Sequence, residues 1–574
     1  MHEPCPDSIA PHVVLDTSFG AGLQFLRSWQ ATTGSLHYLA FLAQPITLAE
    51  LLQQHTGHAE LTCEASALRA AWPELLPGFH RLLFAHGRIS LTLMIGSLDD
   101  CLTQATAQVH AFHVDVVAAT QSARRLARLA APSAALILVD GAPDAALARA
   151  GFVFSSGTHA VFQPSRPVRA GTPMARQAIV LGAGLAGAAI CERLIRRGWR
   201  VTLLERHAEA AMEASGNLAG IVMPLLSRDD NLASRLSRAA YLFAVHRWSR
   251  LARKAFDGSA CGVLQLARDA EHAELQEQIA RRWNYPAGFA EWLTADDAGA
   301  VLGAATSDGG WLFRQGGWAH PAGVCQALLA ACGERLDMRF GVAVTALRQD
   351  GADWQLLDEK ANVLAQAPTV IFANGQGATR FAQLAELPLH AVRGQVTHVA
   401  AELDFAPALV VCRESYLTPP SDGIRSVGAT YDRDSDPQLR RDSQTDNLRR
   451  VQAMLPGNWP DAASLPLAGR VGFRCVAPDR LPLVGALPRL FSEIQNGPRA
   501  ERLRDVPRWP GLFGLLGYAS RGLIWAPLAA ELLAAQLDGE PFPIESDLVA
   551  ALDPARFLLK ALRRPTAQAV CSRP

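Results

Sequence analysis

Three glycines and one acid carry the first chemistry in this chain. In Ala178-Ile-Val-Leu-Gly-Ala-Gly-Leu-Ala-Gly187, residues 178–181 read as a short buried strand. Gly182, Gly184 and Gly187 form G-x-G-x-x-G, and residues 185–197 have helical apolar spacing. Residues 200–204 read as a second strand, closed by Glu205. Glycines at these spacings permit a tight turn, a close backbone approach to a pyrophosphate and close helix–strand contact. The helix start offers free N–H groups and a positive dipole end, and Glu205 can accept a ribose hydroxyl. The pattern predicts a dinucleotide site, for FAD or NAD.

Two later segments favour FAD. Val370-Ile-Phe-Ala-Asn-Gly-Gln-Gly377 reads as an apolar strand ending in a glycine turn, which brings in Asn374 and Gly375. Gly517-Tyr-Ala-Ser-Arg-Gly522 precedes an apolar helix over about 525–537, so Gly517, Arg521 and Gly522 line a helix start that can stabilise negative charge on a reduced flavin.

The elements that must position these residues are those of a large α/β protein. A chain of 574 residues, 49% hydrophobic and 19% charged, is globular and long enough for two or three domains. Its formal net charge is zero, so a nucleic-acid partner must meet a local basic patch. Ten cysteines without CxxC or zinc spacing suit reduced thiols in a cytoplasm, and no metal site is expected. Residues 1–11 lack the pattern of a signal peptide, and apolar runs such as 528–537 are too short to span a bilayer. Residues 163–173, with three prolines and a glycine, read as a linker. The expected domains are thus 1–162, a linker at 163–177, a large domain over 178–560, and a tail at 561–574. Residues 419–436 and 495–510 read as surface loops.

A family resemblance rests on further motifs. They are Glu213-Ala-Ser-Gly-Asn-Leu-Ala-Gly220, Met223-Pro-Leu-Leu-Ser227, Cys261-Gly-Val-Leu-Gln-Leu266, Gly316-Gly-Trp318, Arg393-Gly-Gln395, Tyr416-Leu-Thr-Pro419 and Gly472-Phe-Arg-Cys-Val-Ala-Pro-Asp-Arg-Leu-Pro-Leu-Val-Gly485. In this order, over about 177–560, they resemble the C-terminal half of the bifunctional tRNA 5-methylaminomethyl-2-thiouridine biosynthesis proteins, a half akin to glycine oxidase and D-amino-acid oxidase. The resemblance implies a Rossmann-type FAD domain with an interleaved α+β substrate domain, and adds Ser215 and Asn217 to the cofactor-binding positions. It also implies a reaction: FAD-dependent oxidation of the carboxymethylaminomethyl arm of a tRNA wobble uridine, leaving an aminomethyl group and releasing glyoxylate.

Such a site needs a cation for the carboxylate and a neutral amine. Arg474 is the candidate clamp, since a guanidinium meets a carboxylate in bidentate fashion and aims the adjacent C–H. The competing assignment is an ion pair with a local acid such as Asp479. Tyr416 is a candidate pocket wall or a core residue, and Arg521 faces either the substrate or the surface. No general base stands out.

Upstream, Val13-Val-Leu-Asp-Thr-Ser-Phe-Gly-Ala-Gly-Leu-Gln-Phe25 reads strand, glycine loop, helix. In the resembled family this is the S-adenosylmethionine turn of a Rossmann-like class I methyltransferase. Gly20 and Gly22 match its glycines, and the segment from Trp72 to Leu83 is family-like. Three departures favour a degenerate domain, kept for structure or tRNA docking, over an active methyltransferase. Leu42 stands where an acid should close the second strand, Ser97 where an acid should meet the adenine, and Val116-Val-Ala-Ala follows Asp115 where a loop at the transfer centre should begin. Two lost acceptors cost roughly 1.5–3 kcal/mol each.

The expected partner is tRNA, with the protein a monomer. Basic candidates for that contact are Arg124, Arg125 and Arg128; Arg193, Arg196, Arg197 and Arg200; Arg449 and Arg450; and Arg563 and Arg564. Two rival functions remain open: a glycine- or sarcosine-type small-amine oxidase, and an N-terminal half that only binds tRNA.

Overall fold

The computed structural model describes residues 12–141, 144–164, 175–251, 257–401, 407–455, 459, 461–495, 497 and 500–563. Most of the proline-bearing linker and Arg564 lie outside the described residues. The chain divides into two compact units, Met1–Ala175 with Glu531–Val549, and Arg176–Ala530 with Ala550–Pro574.

The first unit is built on an eight-stranded sheet. Its order is Gly78–Phe84, Ile89–Ile95, Leu36–Leu42, His12–Asp16, Val109–Val114, Ala130–Leu138, His159–Phe162, Phe152–Phe154. The central strands run parallel, with antiparallel pairs at both edges. Parallel strands covered on both faces read as continuous apolar runs, and every residue of Ile89–Ile95 is buried. Helix Val116–Leu129 follows strand Val109–Val114 with only Asp115 between them. Its buried stripe of Ala118, Ala119, Ser122, Ala123, Leu126 and Leu129 has helical spacing, and Asp115 caps it. This is the expected Rossmann-like architecture.

The second unit interleaves two main sheets. Five parallel strands, Leu336–Phe340, Arg200–Glu205, Gln177–Leu181, Thr369–Phe372 and Arg508–Leu516, are joined at one edge by antiparallel Leu483–Pro488. The helix Leu185–Arg196 is buried from Leu185 through Ile195. Between these strands in sequence come those of an eight-stranded mixed sheet, ordered Glu291–Leu293, Gly310–Phe313, Val263–Leu266, Val410–Cys412, Tyr416–Leu417, Ile424–Gly428, His390–Ala400, Gly469–Val476. The stretch 419–436 is therefore not all loop. Ile424–Gly428 is an inner strand of that sheet, with Arg425 through Gly428 buried. Likewise, strand Arg508–Leu516 begins inside the stretch expected to be loop at 495–510.

Among the described residues no helix is long and apolar enough to cross a membrane, and no group of three or more His, Cys, Asp or Glu could hold a metal ion. The described cysteines are all free, with Cys63 exposed. Burial pushes the Cys412 thiol up to about 12 and that of Cys475 up to about 11. The thiolate is the reactive form. Native protein treated with iodoacetamide at neutral pH should carry the label on Cys63 and not on Cys412 or Cys475. Peptide mass spectrometry reads this, and equal labelling of all three would contradict the packing.

Candidate functional site

Strand Gln177–Leu181 feeds the glycine loop, and helix Leu185–Arg196 begins at Gly184. Gly182 has φ +100°, and a Cβ there would lie 2.8 Å from the carbonyl oxygen of Ala373 and 2.9 Å from Cα of Asn374. A Cβ on Gly187 would overlap the carbonyl oxygen of Gly182. The first and second glycine motifs, far apart in sequence, thus meet. Ser215 Oγ accepts the N–H of Leu185 at 3.2 Å and sits against Gly184. Gly522, the first residue of helix Gly522–Asp538, packs against Leu185. Gly375 follows Asn374 with φ +56°, Asn217 is half-buried just beyond Ser215, and Gly517 directly follows strand Arg508–Leu516.

Glu205 accepts the N–H groups of Ala183 at 2.8 Å and His207 at 2.9 Å, one on each oxygen. Each oxygen retains a lone-pair site for a ribose hydroxyl. The amide oxygen of Asn374 is buried without a partner. A buried acceptor left unpaired costs about 1–3 kcal/mol. That orphan, beside the glycine loop, fits a dinucleotide with its own donors. FAD is the group this cradle would hold.

A second cluster lies in the mixed sheet. Strand Gly469–Val476 pairs with His390–Ala400 and sets Arg474 opposite Val392. The Arg474 guanidinium donates to the carbonyl of Thr430 at 3.0 Å and stacks 4.2 Å from the ring centroid of Tyr431. Gly394 makes room for it, because a Cβ there would overlap the guanidinium. Asp479, the competing partner, is engaged instead by Arg556 at 2.8 Å on each oxygen. Among the described residues no carboxylate forms an ion pair with Arg474.

Tyr416 and Arg521 join this cluster. Burial pushes the Tyr416 phenol up while Arg474 pulls it down, so it stays neutral. Arg521 donates to the carbonyl of Met223 at 3.3 Å. Burial lowers its pKa, with the Tyr431 and Cys412 side chains acting in the opposite sense. Among the described residues neither arginine is paired with a carboxylate, so the pair could meet the charge of an anionic ligand. Tyr431 is the member that sequence reasoning missed. Gly394→Val should displace Arg474 and weaken a non-reacting carboxylate such as glycolate at least tenfold, about 1.4 kcal/mol or more. A glycolate titration followed by the flavin absorbance measures this, and an unchanged Kd would separate Gly394 from the clamp.

A family model described as FAD dependent oxidoreductase matches residues 177–536. The tRNA 5-methylaminomethyl-2-thiouridine biosynthesis bifunctional protein MnmC of Paraburkholderia phytofirmans (strain DSM 17436 / LMG 22146 / PsJN) is 40% identical over 598 residues, covering 96% of this chain and 90% of that protein. Its namesake in Burkholderia pseudomallei (strain K96243) is 41% identical over 599 residues, with the same coverage. The chain belongs to the MnmC family. Its larger unit is an FAD-dependent oxidoreductase. Among solved structures, glycine oxidase from Geobacillus kaustophilus aligns with a TM-score of 0.53 at 21% identity, over 66% of this chain and 98% of that one. Iminodiacetate oxidase from Chelativorans sp. BNC1 aligns at 0.51 and 22%, over 64% and 96%. Both show the shared fold of the larger unit.

In the first unit a cavity of about 400 Å³ opens at the strand ends, lined by Thr17, Ser18, Gly20, Leu42, Glu50 and Gln54 among others. Gly20 thus lines it, while Gly22 starts helix Leu23–Ala31 with φ +78° and packs on Phe19. Leu42 is buried at the end of its strand, and Ser97 caps helix Leu98–Gln104. Two carboxylates at these strand ends, Asp16 and Asp115, are bonded within the protein. Asp16 accepts from Tyr38 Oη at 2.6 Å and Ser18 N at 2.7 Å. Asp115 accepts from Thr17 Oγ1 at 3.0 Å and Ala118 N at 2.8 Å. Glu50, in the lining, accepts both the N–H and the hydroxyl of Thr47 at 2.7 Å.

The basic runs are largely held by local acceptors. Arg125 pairs with Asp99, Arg128 donates to the carbonyls of Leu102 and Ala105, and Arg193 and Arg196 surround Glu192. Arg449 and Arg450 share Asp446, and Arg563 donates to the carbonyl of Glu501.

Proposed function

We propose that this protein acts on the wobble uridine of tRNA in the biosynthesis of 5-methylaminomethyl-2-thiouridine. In this reading its oxidoreductase unit removes the carboxymethyl group of 5-carboxymethylaminomethyl-(2-thio)uridine. The observation that carries the reading is Arg474, a half-buried guanidinium with no carboxylate partner among the described residues, beside the neutral phenol of Tyr416. The relatives' name supplies the tRNA nucleoside.

Arg474 would hold the carboxylate of the arm and fix the methylene between it and the amine. Bound FAD supplies the two-electron acceptor. As the C–H bond breaks, the amine lone pair forms a C=N bond. Water then adds to that carbon, the C–N bond breaks, and glyoxylate and the aminomethyl uridine leave. Arg521 adds positive charge on the same side, and the neutral Tyr416 raises no barrier to the anion. The protein would work in the cytoplasm as a monomer.

Methylation of the released amine by S-adenosylmethionine, in the first unit, is supported by the cavity at Gly20 and by the relatives' bifunctional name. The apolar Leu42 at the strand end counts against it.

One experiment tests both steps. Purified protein is incubated with tRNA bearing the carboxymethylaminomethyl nucleoside, with and without S-adenosylmethionine, and the nucleosides are resolved by mass spectrometry. Aminomethyl product establishes the oxidase, and methylaminomethyl product adds the transferase. Unchanged RNA, with peroxide released from glycine or sarcosine, replaces the reading by a small-amine oxidase.

A further inference from the structure

Tyr431 is 62% exposed. A single exposed aromatic is ordinary on any surface, so exposure by itself decides nothing. Its setting is unusual in that the residues on either side of it are pinned. Thr430 Oγ1 accepts the N–H of Gln395 at 3.1 Å and donates to Asp432 at 2.9 Å. Asp432 exchanges two backbone hydrogen bonds with Arg393, both at 2.9 Å. The Arg393 side chain is fully buried, and it donates to the Asp432 carboxylate at 3.0 Å, the Asp436 carbonyl at 2.8 Å and the Gln438 carbonyl at 2.6 Å. A buried arginine spent on one surface loop holds that loop in a single arrangement. The arrangement keeps a tyrosine ring in water, stacked on the candidate carboxylate clamp.

We propose that Tyr431 is the stacking platform for the heterocycle that carries the oxidised arm, and so the residue that favours a nucleobase-linked amine over a free one. The inference rests on the tRNA reading above and deepens it. A carboxymethylaminomethyl arm is only a few bonds long. A pyrimidine whose carboxylate is held at Arg474 therefore lies within reach of a ring 4.2 Å from that guanidinium. One part of the ring is covered by Arg474, and the exposed remainder offers a π surface. Stacking of a base on such a surface needs no particular hydrogen-bond pattern. Glycine or sarcosine has nothing to place there. Tyr431 is a specificity residue in this scheme, and Arg393 is the positioning residue behind it.

The test compares holoenzyme as wild type, Tyr431→Leu and Tyr431→Phe. The probes are an anticodon stem-loop with carboxymethylaminomethyluridine at the wobble position, and sarcosine. Readouts are kcat/KM for each probe and the stem-loop Kd by fluorescence anisotropy. Tyr431→Leu should lower the RNA-to-sarcosine ratio of kcat/KM at least tenfold, chiefly through KM, the size expected of one base–aromatic stack. Its stem-loop Kd should rise in parallel, and Tyr431→Phe should restore both values. If sarcosine is not turned over, the stem-loop KM and Kd carry the comparison. An unchanged ratio and Kd in Tyr431→Leu, or a phenylalanine variant as poor as the leucine one, overturns the platform while leaving the tRNA reading intact. Wild-type enzyme that oxidises sarcosine and leaves the stem-loop untouched overturns the tRNA reading, and the platform with it.

Discussion

Arg474→Ala should leave the protein folded and yellow with flavin, and should nearly abolish reduction of that flavin by substrate. The guanidinium is held by the Thr430 carbonyl and the Tyr431 ring, contacts that position it without neutralising it. Removing one partner of a desolvated charge pair costs about 2–5 kcal/mol, so kcat/KM should fall roughly thirty-fold to several thousand-fold. Arg474→Lys keeps the charge but loses the planar fork and most of the stacking on Tyr431, and should recover only part of the loss. Rapid-mixing measurement of flavin reduction checks both variants. Unchanged kinetics in the alanine variant would remove Arg474 from the carboxylate role.

Gly184→Val is expected to yield folded protein with almost no flavin. The backbone at Gly184 has φ −79°, open to any residue, and the nearest group to a new Cβ is the Ser215 hydroxyl at 3.0 Å, a side chain that can turn away. The fold should therefore tolerate the change. The cofactor should not, since a branched side chain at the helix start blocks the backbone approach of the pyrophosphate. Flavin content below a tenth of wild type, with a near-native circular dichroism spectrum, is the expected result. Full flavin content would defeat the placement of FAD on this loop. Gly187 is a poorer probe, because a Cβ there overlaps the Gly182 carbonyl and the loop itself must open.

The glycine cradle was legible because its signals are local. Strand, turn, helix start and closing acid all fall between Gln177 and Glu205, and their chemistry follows from backbone rules alone. Two local features of the first unit were legible for the same reason. Leu42 ends its strand as a buried apolar residue, and Asp115 turns directly into a helix that uses its carboxylate as a cap.

What escaped the sequence depends on strand pairing. The strand Ile424–Gly428 is only five residues long and lies between Ser-, Asp-, Gly- and Pro-rich ends, so composition masks it. Tyr431 follows it, and becomes a site residue only because Gly469–Val476 pairs with His390–Ala400 and brings Arg474 across. The role of Gly394 in Arg393-Gly-Gln395 is hidden in the same way. Nothing near it in sequence shows that an arginine about eighty residues on needs the space a side chain would fill. The Asp479 alternative for Arg474 fell to Arg556, a residue as far from Asp479 in sequence as Arg474 is close.

In the proposed reading the oxidoreductase unit acts on an amino-acid arm carried by RNA. Anaerobic mixing of the holoenzyme with a stem-loop bearing carboxymethylaminomethyluridine, followed by the flavin absorbance and by glyoxylate assay, tests it most directly. The expected result is loss of the yellow absorbance with one glyoxylate released per flavin, and far slower bleaching by glycine or sarcosine. Flavin bleached by the free amino acids and left oxidised by the stem-loop would contradict it.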